Sequence, residues 1–457
     1  MQHWAADELR TLELGDPRRN RRLVQLVEAL AEQPQASLPY ACGNWAATKG
    51  AYRLLDNPAV TPAAIRAAHV TATVARLREH ASVLVIQDTT SLDLTHHPAT
   101  QGLGPLEHRA RRGLKAHSAL AVSLTGVPLG LLWQQLWERD PATIGQRHRR
   151  RQRATADKES QRWLDGVVAS EAVVPDAVAL ITVADREADL YDLFAQPRRA
   201  NHQLLIRAAH DRRVTADGDR LWASAQAGQV LGTQTVSVGR RPEQPVRSAT
   251  LTVRVAAAQL EPPLHHRQRA TCAAIPIWAI WAEEHQPPAG CAPVQWLLLS
   301  TQPVTTADDA QERLRWYALR WLIERYHFVL KSGCRIEALQ LATAARLERA
   351  VATYCIVAWR LLWLTYLARQ TPDAPCTVAL PVAAWQALWC AHHQTTTLPD
   401  TPPSLAEAVR WIAQLGGFLG RHHDGEPGVA TLWRGLQRLT DLTAMYTLLQ
   451  PPAATCG

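Results

Sequence analysis

The stretch Ala177-Val178-Ala179-Leu180-Ile181-Thr182-Val183-Ala184 is apolar almost without a break and stops at Asp185. A run with no alternating polar positions cannot leave one face in water, so it reads as a strand covered on both faces. It has a shorter, β-branched counterpart in Ser82-Val83-Leu84-Val85-Ile86-Gln87, which stops at Asp88 and is followed by Thr89-Thr90-Ser91. His117 to Thr125 and Pro128 to Trp137 read as two further strands turning at Thr125-Gly126-Val127-Pro128, and Gln203 to Ala208 as another, ending near Arg207. Asp157 to Ala172 and Arg186 to Ala195 read as helices. A hairpin, an adjacent strand, then helices alternating with strands predict a mixed α/β sheet covered by helices.

Around this centre the character of the chain changes twice. Residues 1–70 read as a helical module, with Arg18, Arg19, Arg21 and Arg22 packed into one turn after Gly15-Asp16-Pro17. A solvated basic face and a nucleic-acid-binding face are equally consistent with that turn. From about 211 to 305, prolines, turns and short strands predict an all-β insertion, with Thr250 to Ala256 cleanly alternating and Gln295 to Ser300 apolar. Leu347 to Leu367 reads as a long apolar helix. Proline-rich breaks at 372–375 and 397–403 set off a helical region over 373–457, in which Ser404 is placed to cap a helix from Leu405 to Leu415. The sheet-bearing centre then spans 71–372.

The helix predicted from Asp308 to Gly333 carries the most distinctive pattern. On a helical wheel, Leu319, Leu322, Ile323, Tyr326, Val329 and Leu330 fall within about 120° of arc, a core-facing stripe. Tyr317, Arg320, Glu324 and Lys331 fall within about 60° on the opposite side, along a line roughly 21 Å long. On charge pattern alone this is a solvated face with one Glu–Arg pair at i, i+4. The sharper alternative is a carboxylate ligand set in a row of phosphate-binding groups.

The chain has 457 residues and a formal charge of +8, which favours polyanionic partners, chiefly nucleic acid. The eight cysteines are scattered without a C-x-x-C pair, so a zinc site is not expected and free thiols in a reducing cytoplasm are. No uninterrupted apolar stretch of about 18 residues and no charged-then-apolar leader occur, so neither a membrane span nor a signal peptide is expected. Seventeen tryptophans are too many to be stacking platforms, so most are expected in the core or at interfaces. Basic clusters in loops, Arg109, Arg111, Arg112 and Lys115, then Arg147 to Arg153, add to the cationic surface.

Asp88 and Asp185 share a position type, each being the first acid after an apolar strand. Ligands collect at the carboxyl ends of neighbouring strands in open sheets. Either aspartate alone reads more simply as a turn or helix-cap residue. With Glu324 on a helix packed across the sheet, three carboxylates would converge, a hard oxygen set suited to Mg²⁺ or Mn²⁺. Two such ions about 3.5–4 Å apart support in-line phosphoryl displacement.

These residues also carry a resemblance. Tyr317, Arg320, Glu324 and Lys331 stand at the spacing of the Y-R-E-K signature of DDE transposases from bacterial insertion sequences, those of insertion-sequence family four. Ile86-Gln87-Asp88-Thr89-Thr90-Ser91-Leu92 resembles that family's first-Asp motif, and Val183-Ala184-Asp185-Arg186-Glu187-Ala188-Asp189 its second. Trp296-Leu297-Leu298-Leu299-Ser300 resembles the strand bearing a stacking tryptophan. Leu14 to Arg19 and Ala51-Tyr52-Arg53 resemble the end-binding domain, and Leu415 to Phe418 with the Trp433–Gly435 region the C-terminal domain. The resemblance implies a ribonuclease-H-like catalytic core with a β insertion, flanked by an N-terminal DNA-binding domain and a C-terminal dimerisation domain. It implies Asp88, Asp185 and Glu324 as a triad holding two Mg²⁺ or Mn²⁺ ions. Tyr317, Arg320 and Lys331 would lie on phosphates of the transposon end, Trp296 on an extruded base, and Arg207, Arg18 and Arg19 along the DNA. The implied activity is cut-and-paste transposition through nicking, hairpin formation and strand transfer. Its partners would be double-stranded DNA, as inverted-repeat ends and as target, and a second copy of the chain, on nucleoid DNA in a bacterial cytoplasm. A metal-dependent nuclease without strand transfer, or a DNA-binding protein derived from a transposase, are the alternatives.

Overall fold

The computed structural model describes residues 4–108, 110–143, 153–214, 219–238, 247–266 and 269–449. Arg109, the basic residues from Arg147 to Arg151, and Cys456 lie outside them. Helices Trp4–Glu8, Pro17–Glu32, Leu38–Cys42, Trp45–Asp56 and Pro62–Leu77 form the N-terminal part. The Gly15-Asp16-Pro17 punctuation works as a helix start: the Asp16 carboxylate accepts from the Arg18 N–H at 2.9 Å, and Pro17 occupies the first turn, where its missing N–H costs nothing.

Ten strands make one mixed sheet. They are β1 (Ser82–Asp93), β2 (Gly104–Pro105), β3 (Arg112–Ser123), β4 (Pro128–Trp137), β5 (Ala179–Ala184), β6 (His202–Arg207), β7 (Gln229–Val238), β8 (Arg247–Leu260), β9 (Ile275–Glu284) and β10 (Gln295–Ser300). Their order is β2-β3-β1-β5-β6-β10-β9-β8-β7, with β4 paired to β3. β1, β5 and β6 are parallel, and the other pairings are antiparallel. β5 lies second-neighbour to the antiparallel strands on both sides and is buried from Leu180 to Ala184, as its unbroken apolar run requires.

The region expected to be an all-β insertion is neither separate nor all-β. β10 pairs with the outer edge of β6, so β9, β8 and β7 extend the main sheet instead of forming their own. The helix Leu221–Gln226 also stands within it and buries Leu221 and Ala225 against the strands.

Two cores lie against the sheet centre. Ile86, Val183, Leu205 and Leu298 pack with Ile323, Tyr326, Val329 and Leu330 and with the long helix Ala344–Gln370. Ala184, Leu204 and Ile206 pack with Trp163 and Val167 of the helix Gln161–Val173. The 344–370 helix is long and apolar enough to cross a membrane, with mean hydropathy 1.4 over its apolar window, but 78% of that window is buried inside the protein. That burial marks it as a core helix. Helices Val382–His393, Leu405–Leu415 and Val429–Leu449 close the chain; Ser404 caps the middle one, as the sequence predicts, and Glu407 makes that cap reciprocal.

Candidate active site

The register of β1, β5 and β6 places Asp88, Asp185 and Arg207 in one row. Ile86 pairs with Val183 and Val183 with Leu205. Asp88, Asp185 and Arg207 each follow by two residues, continuing the face covered by the 321–328 helix. Asp88 is not at a strand end. β1 runs on to Asp93 because β3 pairs with it along that whole length, and only its parallel ladder with β5 stops at Ile86. The aspartate therefore sits where two neighbouring strands part. Asp185 does end its strand, and its carboxylate accepts the Glu187 N–H at 2.9 Å to start a 3-10 turn, the capping role open to it from sequence.

The predicted single helix from Asp308 to Gly333 is interrupted twice. Ala307–Leu319 and Trp321–Phe328 are α-helices that meet at Arg320. Val329–Gly333 is a π turn, closed by the Cys334 N–H on the Val329 carbonyl at 2.8 Å. Gly333 is required in that turn, since a Cβ there would stand 2.8 Å from the Trp433 ring. The apolar stripe is buried as expected, apart from half-buried Leu319. The polar line is not one exposed line. Tyr317 is buried, its ring 5.5 Å from that of half-buried Trp296 in an edge contact. The join at Arg320 turns the first helix so that the phenol packs inward.

Arg320 is the hub of the site. Its guanidinium binds the Glu324 carboxylate at 2.5 Å, and its centre lies 5.8 Å from the Tyr317 ring. Burial works to raise the Asp88 carboxyl, but His327 and Arg320 outweigh it and hold Asp88 below the usual carboxylate range. Burial raises the Asp185 carboxyl above that range, and the Asp88 charge pushes the same way, against the Glu187 N–H, Arg320 and Arg207. Both aspartates and Arg320 thus share one electrostatic neighbourhood. Glu324 reaches it through Arg320, and its carboxylate is not part of a three-ligand cluster. Among the described residues, no three Asp, Glu, His or Cys side chains stand close enough together to hold a metal ion. The donor chemistry nevertheless suits a hard divalent cation, because two repelling carboxylates one strand apart gain most from a shared positive charge. Glu324 would join them by turning from Arg320.

Lys331 lies 3.5 Å from Glu337, whose carboxylate also accepts the Asp93 N–H at 2.7 Å. Arg207 donates to the Gln295 carbonyl at 3.0 Å, which ties it to the strand bearing Trp296. Arg18 and Arg19 lie far along the chain on the N-terminal helix. Arg18 is exposed and pairs with Asp16 at 2.9 Å, and Arg19 donates to the Leu14 carbonyl at 3.1 Å.

His327 was not singled out by sequence. Its Nδ1 stands 3.6 Å from Asp88, and its buried Nε2 has no hydrogen-bond partner among the described residues. The available signal was its spacing, one helical turn after Glu324. A cleft of about 1110 Å³ is lined by Thr89, Lys115, Arg139, Lys158, Arg186 and His210 among others, and by none of the residues in the row.

Two segments match known families. Residues 1–60 match the transposase DNA-binding family, and residues 356–446 match the transposase Tn5 dimerisation domain. One match covers the basic helical module and the other the end of the 344–370 helix with the helices after it. Together they support a DNA transposase of the Tn5-like kind, with DNA and a second copy of the chain as its partners.

Proposed function

We propose that the chain is a metal-dependent cut-and-paste transposase whose active site is built on Asp88, Asp185 and Glu324. The observation that carries this reading is the registered pair of aspartates on parallel strands, with Arg320 and Glu324 reaching over them from the covering helix. Mg²⁺ or Mn²⁺, two ions per site, held by these carboxylates would supply an activated water or 3′-hydroxyl and stabilise the leaving oxygen. The protein's own groups do the positioning. Arg320, released from Glu324 as that carboxylate turns, is free to take a strand phosphate bidentately, and Lys331 and Arg207 extend the cationic line on either side. Tyr317 holds Arg320 and Trp296 in place, and Trp296 is the surface on which an extruded base would stack as the strand bends into a hairpin. Arg18 and Arg19 bind the transposon end, on a module whose match is to transposase DNA-binding domains. The ribonuclease-H-like description of the core rests on the parallel β1-β5-β6 centre with its antiparallel hairpin.

Incubation with Mg²⁺ and DNA carrying the inverted repeats that flank the coding region tests this reading. Nicked ends, hairpins and joined products are expected. Cleavage without joining would leave a nuclease, and binding unaffected by metal would leave a DNA-binding protein only.

A further inference from the structure

Behind the wall of the cleft, two segments bring together a thiol, an imidazole and a carboxylate. Cys272 Sγ stands 3.5 Å from His266 Nδ1, and His266 Nε2 stands 2.8 Å from Asp192 Oδ1. The other Asp192 oxygen accepts from the Thr155 hydroxyl, and Thr155 itself lines the cleft. Local backbone holds the first two residues in place. The Arg269 N–H bonds to the His266 carbonyl at 3.1 Å, and a 3-10 turn over Arg269–Thr271 then brings the Cys272 N–H to the Arg269 carbonyl at 3.2 Å. Asp192 stands in the helix Tyr191–Ala195, just past the Asp185 turn. The Tyr191 ring lies edge-on to His266 at 5.6 Å, and its hydroxyl donates to the Ala273 carbonyl at 2.6 Å. Burial and the neighbouring Cys272 push this phenol up to about 12, so it stays a donor.

The order of contacts is that of a nucleophile, its base and the group that orients the base. With Nε2–H donated to Asp192, Nδ1 is the acceptor that faces sulfur. We propose that Cys272 is a nucleophilic thiol, activated by His266 and Asp192, and a site of reversible oxidation by peroxides. His266 Nδ1 takes the thiol proton, and the thiolate attacks one peroxide oxygen. The S–O bond forms as the O–O bond breaks, and the leaving hydroxide takes a proton to become water. Sulfur is oxidised by two electrons to the sulfenic acid and the peroxide is reduced. Nothing in the transposition reading uses this relay.

The chain supplies its own controls. Burial pushes Cys355 up to about 12 and Cys376 up to about 11, and raises Cys334, so these thiols are poor nucleophiles. Cys291 and Cys390 are half-buried like Cys272 and serve as references in the same sample. The full chain is treated with hydrogen peroxide and a sulfenic-acid trap, and labelling at each cysteine is followed by peptide mass spectrometry. Cys272 is expected to label about tenfold faster than either reference. His266→Asn is expected to bring Cys272 down to the reference rate and leave the references unchanged. Labelling of Cys272 no faster than the references in the unaltered chain would overturn the proposal, and needs no variant. So would an unchanged Cys272 rate in His266→Asn.

Discussion

Two clusters in this molecule are each built from carboxylate, histidine and arginine side chains, and they have opposite character. In the first, Glu8 accepts from His69 Nδ1 at 2.5 Å and from Arg76 at 2.7 and 3.0 Å, while His69 Nε2 accepts the Leu131 N–H at 3.0 Å. Arg76 also bonds the Leu129 carbonyl at 2.6 Å and lies 4.2 Å over the Trp359 ring. Both nitrogens of the histidine and both oxygens of the acid are used. In the second, Asp88 has His327 only at 3.6 Å, His327 Nε2 is buried without a partner among the described residues, and Arg320 is shared among Asp88, Asp185 and Glu324. A closed cluster fastens the first helix of the chain to β4. An open one holds charge that its partners among the described residues leave unsatisfied, which fits the site proposed above.

The contrast between the closed and open clusters is sharpest at Glu8. Removing one partner of a buried, fully bonded set leaves the others charged and unpaired, so Glu8→Ala is expected to cost about 3–5 kcal/mol in denaturant unfolding. A loss below about 1 kcal/mol would show that the cluster is no fastening. The same cluster sets an acid limit. Burial alone would raise the Glu8 carboxyl, but His69 and Arg76 hold it down at about 2, against 4.5 for a free glutamate. A lowered carboxyl contributes stability that is present above pH 4.5 and lost as the pH falls toward 2. Burial also lowers His69 below its free value of 6.5, so its loss begins earlier and runs the same way. Unfolding free energy is expected to fall with pH from about 6.5 downward, by about 3 kcal/mol from Glu8 alone. Glu8→Gln should flatten that curve.

The open cluster should behave in reverse. Asp185→Asn relieves the repulsion with Asp88, so stability is expected to stay level or rise by up to about 1 kcal/mol. Thermal unfolding measured beside Glu8→Ala checks the contrast, and a comparable loss for both variants would erase it.

Much of this was legible in the sequence, for identifiable reasons. The apolar run before Asp185 could only be a covered strand, and the cap at Ser404 is a local signal that nothing overrides. The polar spacing around Arg320 located the hub. The failures are tertiary. A wheel at 100° per residue assumes an unbroken helix; the π turn after Phe328 and the join at Arg320 both violate it, and the join is why Tyr317 turns inward. The reach of β1 beyond Ile86 depends on β3, and the fate of the expected insertion depends on which edge β10 meets. His327 carried only a one-turn spacing, and the Glu8–His69–Arg76 set spans 68 residues from first to last, beyond any local pattern.

That Asp88, Asp185 and Glu324 serve one metal-dependent cut is our proposal. It is tested most directly by comparing Glu324→Gln with the unaltered chain on the same end-bearing DNA, with retention and Mg²⁺-dependent cleavage measured in parallel. The variant is expected to retain the DNA with nearly unchanged affinity and to produce no nicked strand. Cleavage at the unaltered rate would contradict the account, and Glu324 would then be only the surface partner of Arg320.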